Sequence, residues 1–185
     1  KFEAVHMQIE LEEDLFQSMG SKYMPSKLND TFISVKRILL QGRQVMFVGT
    51  PCQCAGLKKY IGEKDDNLIC IDMVCHGVPS RSVWRNYLQN LDKNKLLEYL
   101  NMRDKSSGWS RYQYSWKMKY KDDTEKVILQ ENIPFMKGFT MDFYLRPSCY
   151  ECQFKGINRS ADITLGDFWG AWEMQPEMDD NKGTS

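Results

Sequence analysis

The chain has 185 residues, 42% of them hydrophobic, which is enough for one sizeable core and short for two. Its 25 basic residues balance 25 acidic ones, so the net charge is zero and the cationic footprint of a nucleic-acid-binding protein is missing. Apolar runs such as Val45 to Val48 fall far below the ~20 residues a membrane helix needs, and no basic-then-apolar leader opens the sequence. Six cysteines then suit a reducing cytoplasm, where thiols serve metal binding or redox chemistry more often than a disulfide framework.

Ala4 to Leu11 reads as a strand. The chain opens inside it and closes on Asp179 to Gly183 without a terminal element, so residues 1–185 are expected to be a single domain cut at both ends from a larger protein. Asn29 or Asp30 caps a helix carrying Phe32, Val35, Ile38 and Leu39 at helical spacing, and Gly42 stops it. Val45-Met46-Phe47-Val48 is a continuous apolar run between glycines, the pattern of a strand covered on both faces. Thr50 then caps a helix with Pro51 at its first position, running to about Ile61 before Gly62.

Leu68 to Val74 is a second buried strand, and Ser80 caps a helix bearing Val83, Trp84, Tyr87, Leu88 and Leu91. Alternating strand and helix predict a parallel βαβ core. Tyr112, Tyr114, Trp116, Met118 and Tyr120 change the period to two, and Asp122-Asp123 leads to Val127-Ile128-Leu129, an antiparallel hairpin. Pro134 to about Leu145 reads as helix and Ile163 to Leu165 as a short strand. The sum is an α/β fold, a mixed sheet with a parallel βαβ core and an added antiparallel hairpin.

Cys52 and Cys75 each follow a predicted strand, so parallel strands bring both to the carboxyl edge of the sheet, where open α/β sheets bind ligands. Cys149-Tyr150-Glu151-Cys152 adds two thiols on a two-residue spacer. Four thiolates suit an iron–sulfur cluster or structural zinc; a redox pair and simple burial are the other readings. Zinc ribbons present paired knuckles, whereas here two ligands come singly from loops, which favours iron. Cys54 and Cys70 lie inside a helix and mid-strand and read as core packing. Gly49, Thr50 and Gln53 surround Cys52 at a helix start suited to an anion, with a plain capped turn as the competing reading. His76, beside Cys75, is placed to hydrogen-bond a flavin or cluster, or to serve as a local structural donor.

Gly20-Ser21-Lys22-Tyr23, Gly49-Thr50-Pro51-Cys52-Gln53, Cys75-His76-Gly77-Val78-Pro79, Arg103-Asp104-Lys105, Ser148 to Cys152 and Asp162 to Gly170 together resemble the beta-subunit family of coenzyme F420 hydrogenases and dehydrogenases. The resemblance implies a flavoprotein oxidoreductase in which a [4Fe–4S] cluster held by Cys52, Cys75, Cys149 and Cys152 exchanges electrons with FAD. Hydride would pass to coenzyme F420 or another small acceptor, and a ferredoxin-like domain or subunit would be the electron partner. Lys22, next to Ser21, is then a candidate for a flavin phosphate or the N1–C2 carbonyl region. Arg103, Arg146 and Arg159 are candidates for phosphate or partner contacts, and Phe168 and Trp169 for shielding the cluster from water. A zinc-stabilised or metal-free scaffold domain is the alternative, and self-association is open to a chain with exposed aromatics.

Overall fold

The computed structural model describes residues 2–62, 64–94, 96–108, 114–167 and 170–178. The chain runs α1 (Thr31–Leu40), β1 (Val45–Val48), α2 (Pro51–Ile61), β2 (Leu68–Met73), α3 (Arg81–Leu91), β3 (Leu97–Asp104), β4 (Ser115–Tyr120), β5 (Glu125–Leu129), α4 (Pro134–Thr140), α5 (Pro147–Tyr150), β6 (Ile163–Leu165) and α6 (Ala171–Met174).

Two sheets form rather than one. β1, β2 and β6 make a parallel sheet in that order, and β3, β4 and β5 make a separate antiparallel sheet. The α/β class and the βαβ unit β1-α2-β2 stand as expected, while the predicted hairpin is the outer part of a three-stranded meander. β3 escapes a period-two reading because its pairing with β4 shifts register between Leu97 and Tyr99 and again between Asn101 and Asp104. Tyr112, assigned to the hairpin, Phe168 and Trp169, assigned to the cluster, and the chain end Asp179 to Gly183 lie outside the described residues.

Three expectations fail. β1 and β2 are not covered on both faces: Met46 and Val48 of β1 and Ile69 and Met73 of β2 are exposed, because α1 and α2 pack on the face of Phe47 and Cys70. Ala4 to Leu11 is not a strand: it makes one parallel bridge, Val5 to Lys27, through His6 N–H to Lys27 O (3.0 Å) and Lys27 N–H to Ala4 O (2.8 Å). With no longer partner to ladder against, it leaves the extended pattern, and Glu12–Ser18 winds into a 3₁₀ turn. The helix starting at Pro134 ends at Thr140 rather than Leu145, because Asp142 adopts a left-handed backbone (φ 62°) that a helix cannot continue through.

Each sheet has its own core. Val35 and Leu39 of α1 and Cys54 and Leu57 of α2 pack on Phe47 and Cys70 of the parallel sheet. Trp84 of α3, Met102 of β3, Trp116 of β4 and Phe135, Met136 and Phe139 of α4 form the second core, where Trp84 meets Trp116 edge-on at 6.2 Å. Asp162 and Asp72 join β6 to the rest. The Asp162 carboxylate accepts from Lys58 Nζ (2.7 Å) and the Cys70 N–H (2.7 Å), and buried Asp72 accepts from Thr164 Oγ1 (2.6 Å) and, more weakly, from Arg159.

Candidate functional site

The carboxyl edge of the parallel sheet gathers the chemistry. β1 ends at Val48 and Gly49 N–H donates to Ile71 O (3.0 Å), which keeps the turn level with the end of β2. Gly49 is required there: a Cβ would stand 2.8 Å from the Phe47 ring and 3.1 Å from Gln53 Oε1. Thr50 N–H donates to Gln53 Oε1 (2.9 Å), which fixes the start of α2, and Gln53 Nε2 donates to Ser26 Oγ (2.9 Å). Cys52, exposed in the first turn, has its Sγ 3.2 Å from Thr50 Oγ1.

Cys75 leaves the end of β2 beside this turn. An antiparallel bridge, Pro79 to Leu145, then clips the following loop to the CxxC segment through Arg146 N–H to Val78 O and Ser80 N–H to Tyr144 O, both 2.9 Å. A Cβ on Gly77 (φ 148°) would meet Leu145 Cδ1 at 2.9 Å and Cys149 Cβ at 3.5 Å, so the two segments touch backbone to side chain. The result shows in the electrostatics of Cys75. Burial pushes its thiol up, the Gly77 N–H pulls it partly back, and the neighbouring thiols of Cys52, Cys149 and Cys152 each raise it further. All four predicted cysteines therefore lie within electrostatic reach of one thiol, though among the described residues no three Cys, His, Asp or Glu side chains close tightly enough to hold a metal ion.

His76 pairs with Asp142, Nε2 to Oδ1 at 2.6 Å, its ring 4.9 Å from that of Phe139. The hydroxyl of Tyr150, inside the CxxC spacer, donates to the Asp142 carbonyl. Asp142 thus ties the Cys75 loop to the Cys149 turn, a role no local pattern announces: its partner His76 is distant in sequence, and only its left-handed conformation presents the carboxylate.

Ser21 and Lys22 sit on a second cluster. Arg103 donates to Ser21 Oγ (3.2 Å) and to the Asp167 carboxylate, and its guanidinium lies 5.7 Å from the Tyr114 ring centre. Asp167 follows β6, whose Leu165 is in register with Met73, so this arginine cluster borders the same edge as Cys75. The Lys22 ammonium donates to the carbonyls of Ser18 (3.2 Å), Met19 (3.0 Å) and Gly20 (3.1 Å), and burial lowers its pKa. Tyr23 connects the two clusters, 5.6 Å from Phe139, the ring that packs on His76. Arg159 donates to Met73 O (3.2 Å) and to Asp72, and the Arg146 backbone forms part of the clip. Cys54 and Cys70 lie in the core with no exposed surface, and the Cys54 thiol is pushed up by its hydrogen bond with Cys70 and by burial.

Residues 42–185 match the family described as coenzyme F420 hydrogenase/dehydrogenase, C terminus of the beta subunit. The chain belongs to that family. Membership makes it a domain of a redox-enzyme beta subunit, and the matched residues include all the quoted motifs except Gly20 to Tyr23. A chain from the F420-reducing [NiFe] hydrogenase complex of Methanosarcina barkeri, solved in a xenon derivatization study, is similar at a TM-score of 0.47 and 13% identity. That similarity covers 84% of this beta-subunit domain and 50% of the other chain, so the domain spans half of that chain's length. No curated protein matches. Among the described residues no helix is long and apolar enough to cross a membrane.

Proposed function

We propose that this chain is the cluster-binding part of a cytoplasmic, flavin-linked oxidoreductase, with Cys52, Cys75, Cys149 and Cys152 as the ligands of one [4Fe–4S] centre. The observation that supports the reading is that Cys52, Cys149 and Cys152, from two other segments, lie within electrostatic reach of Cys75, while Cys54 and Cys70 stay in the core. Four thiols from a sheet edge and one CxxC turn are the donor set such a centre takes, and family membership supports a redox role. When bound, the centre supplies one-electron transfer to an FAD whose hydride chemistry with coenzyme F420 or another acceptor occurs in the intact protein.

The chain's own residues set the conditions. Cys75 must lose a proton to become a ligand, and burial holds that proton on, so metal loading releases protons and strengthens as pH rises. The His76–Asp142 pair and the Pro79–Leu145 bridge fix the approach of the Cys75 loop to the CxxC turn. We assign Ser21, Lys22, Gly49, Thr50, Gln53 and His76 to the flavin side. The Lys22 ammonium and the first turn of α2 offer positive charge to phosphate oxygens, and the backbone at Gly49 allows close approach. A ferredoxin-like domain or subunit is the expected electron partner, and the 185 residues act as one unit of a larger assembly.

Anaerobic reconstitution with iron and sulfide, followed by metal analysis and a visible spectrum, tests this. The wild-type chain is expected to take up about four iron atoms with a broad visible band. Cys75→Ser and Cys149→Ser are expected to lose most of that iron, and Cys54→Ser to keep it. One zinc per chain and a colourless protein would instead establish the scaffold reading.

A further inference from the structure

A cleft of about 690 Å³ borders the second core, within the size range of small-molecule sites. One wall is α3, whose Arg81, Trp84, Arg85, Leu88 and Asp92 fall at helical spacing on a single stripe. The other is made by Phe2 and Glu3 with the segment Met24 to Lys27. The floor is apolar, formed by Phe2, Met24, Pro25, Trp84 and Leu88, and the polar atom of the indole, Nε1, donates to the Phe2 carbonyl (2.9 Å). The rim is cationic. Lys27, Arg81, Arg85 and Lys93 stand there against two carboxylates, Glu3 and Asp92, an excess of two positive charges in a chain whose net charge is zero.

We propose that this cleft binds a small organic anion, its apolar body laid over Trp84 and Leu88 and its carboxylate or phosphate held by Arg81. Both acidic side chains of the cleft are already engaged. Glu3 accepts from Lys27 (2.5 Å) and Arg85 (3.4 Å), and Asp92 accepts the N–H groups of Leu96 (2.7 Å) and Leu97 (3.1 Å). Among the described residues neither Arg81 nor Lys93 is paired with a carboxylate, and Arg81 makes only a long contact to the Ser26 carbonyl (3.5 Å). Its planar fork suits the two oxygens of a carboxylate or phosphate. The first turn of α3, where Arg81 stands, has no side-chain cap, so its N–H groups add positive charge at the same end of the cleft. The apolar floor disfavours a bare hydrated ion, and the cationic rim disfavours an ammonium ligand. Ser26 borders the cleft through its carbonyl and takes Gln53 Nε2 on its hydroxyl (2.9 Å), so an occupant sits next to the segment that fixes the start of α2.

Isothermal titration calorimetry on the purified chain at low salt tests this, with far-UV circular dichroism confirming that each variant folds. The probes are 2-naphthoate, 2-naphthyl phosphate and octanoate, and the neutral 2-naphthamide is the charge control. At least one anion is expected to bind at one per chain with a Kd below about 1 mM, and the amide at least about tenfold more weakly. Which anion binds best reads the headgroup and the shape of the body. Arg81→Gln is expected to weaken that anion about tenfold and to leave the amide unchanged, whereas Leu88→Ala should weaken both several-fold. Lys119→Gln, on β4 and outside the cleft, should change neither. The proposal is overturned if none of the three anions binds below about 1 mM, if the amide binds as tightly as the anions, or if Arg81→Gln leaves the affinity unmoved.

Discussion

Asp142 holds a conformation that few side chains accept, and the reason lies in what it touches. At φ 62° it ends α4, presents its carboxylate to His76 at 2.6 Å and receives the Tyr150 hydroxyl on its carbonyl. Removing only the carboxylate is possible without disturbing that backbone, because glycine enters the left-handed region freely. Asp142→Gly is therefore expected to cost about 1 kcal/mol or less through this half-exposed pair, while freeing the Cys75 loop. Site-resolved alkylation followed by mass spectrometry reads the result. Cys75, half-buried, should label several-fold faster in the variant, while exposed Cys52 keeps its rate. An unchanged Cys75 rate would mean that the Pro79–Leu145 bridge alone holds the loop.

The elements most legible in the sequence are those whose boundaries are set by local chemistry. β1 and α2 begin and end where Gly42, Gly49, Thr50, Pro51 and Gly62 put them, and the short β6 falls on the predicted residues. The elements misread depend on partners remote in the chain: β3 on bulges in its pairing with β4, the N-terminal segment on a single bridge to Lys27, and the end of α4 on Asp142, which pairs with His76. The candidate site divides the same way. Strand ends and the CxxC spacing picked out Cys52, Cys75, Cys149 and Cys152, but nothing local pointed to Ser26 holding Gln53 or to Asp142 holding His76. Gly77 shows how little slack the join between these segments has. Gly77→Ala would drive a methyl to 2.9 Å from Leu145 Cδ1, and an overpacked contact of this kind costs about 1–3 kcal/mol. Gly42→Ala, where φ is 73° but nothing lies within 4 Å, should cost only the backbone strain of about 1–2 kcal/mol. Urea midpoints compare the stabilities, and iron uptake separates the two further: Gly77→Ala should lower it by displacing Cys149, and Gly42→Ala should not.

At the scale of the whole molecule, the parallel sheet is completed late. β6 enters only after the antiparallel sheet and α4 have intervened, and side-chain ties add to its backbone pairing with β2. Asp162 is the principal one, since its carboxylate joins Lys58 of α2 and the N–H of Cys70 in β2 immediately before β6 begins. The hydrogen bond from Lys58, followed by that from Cys70, lowers its pKa below the ordinary carboxylate value. The sign follows from linkage: a carboxyl group more acidic in the folded chain than in the unfolded one contributes stability above its unfolded pKa of about 3.9. That contribution is lost as pH falls through the lower folded value. Asp162→Asn keeps the shape and removes the charge, so at pH 7 it should be less stable by about 1 kcal/mol, in proportion to a lost charge-assisted hydrogen bond. Urea unfolding across a pH series gives the decisive comparison. The gap between wild type and variant should stay constant from neutral pH down to the unfolded carboxyl range and then shrink, because the wild-type carboxyl becomes protonated and neutral like the amide. A gap that persists undiminished into strong acid would show that the charge of Asp162 is not what holds the tie, since the protonated carboxyl would then still do what the amide does not. The charged tie of β6 to the sheet edge that carries Cys75 would then be that of Asp72 with Thr164 and Arg159.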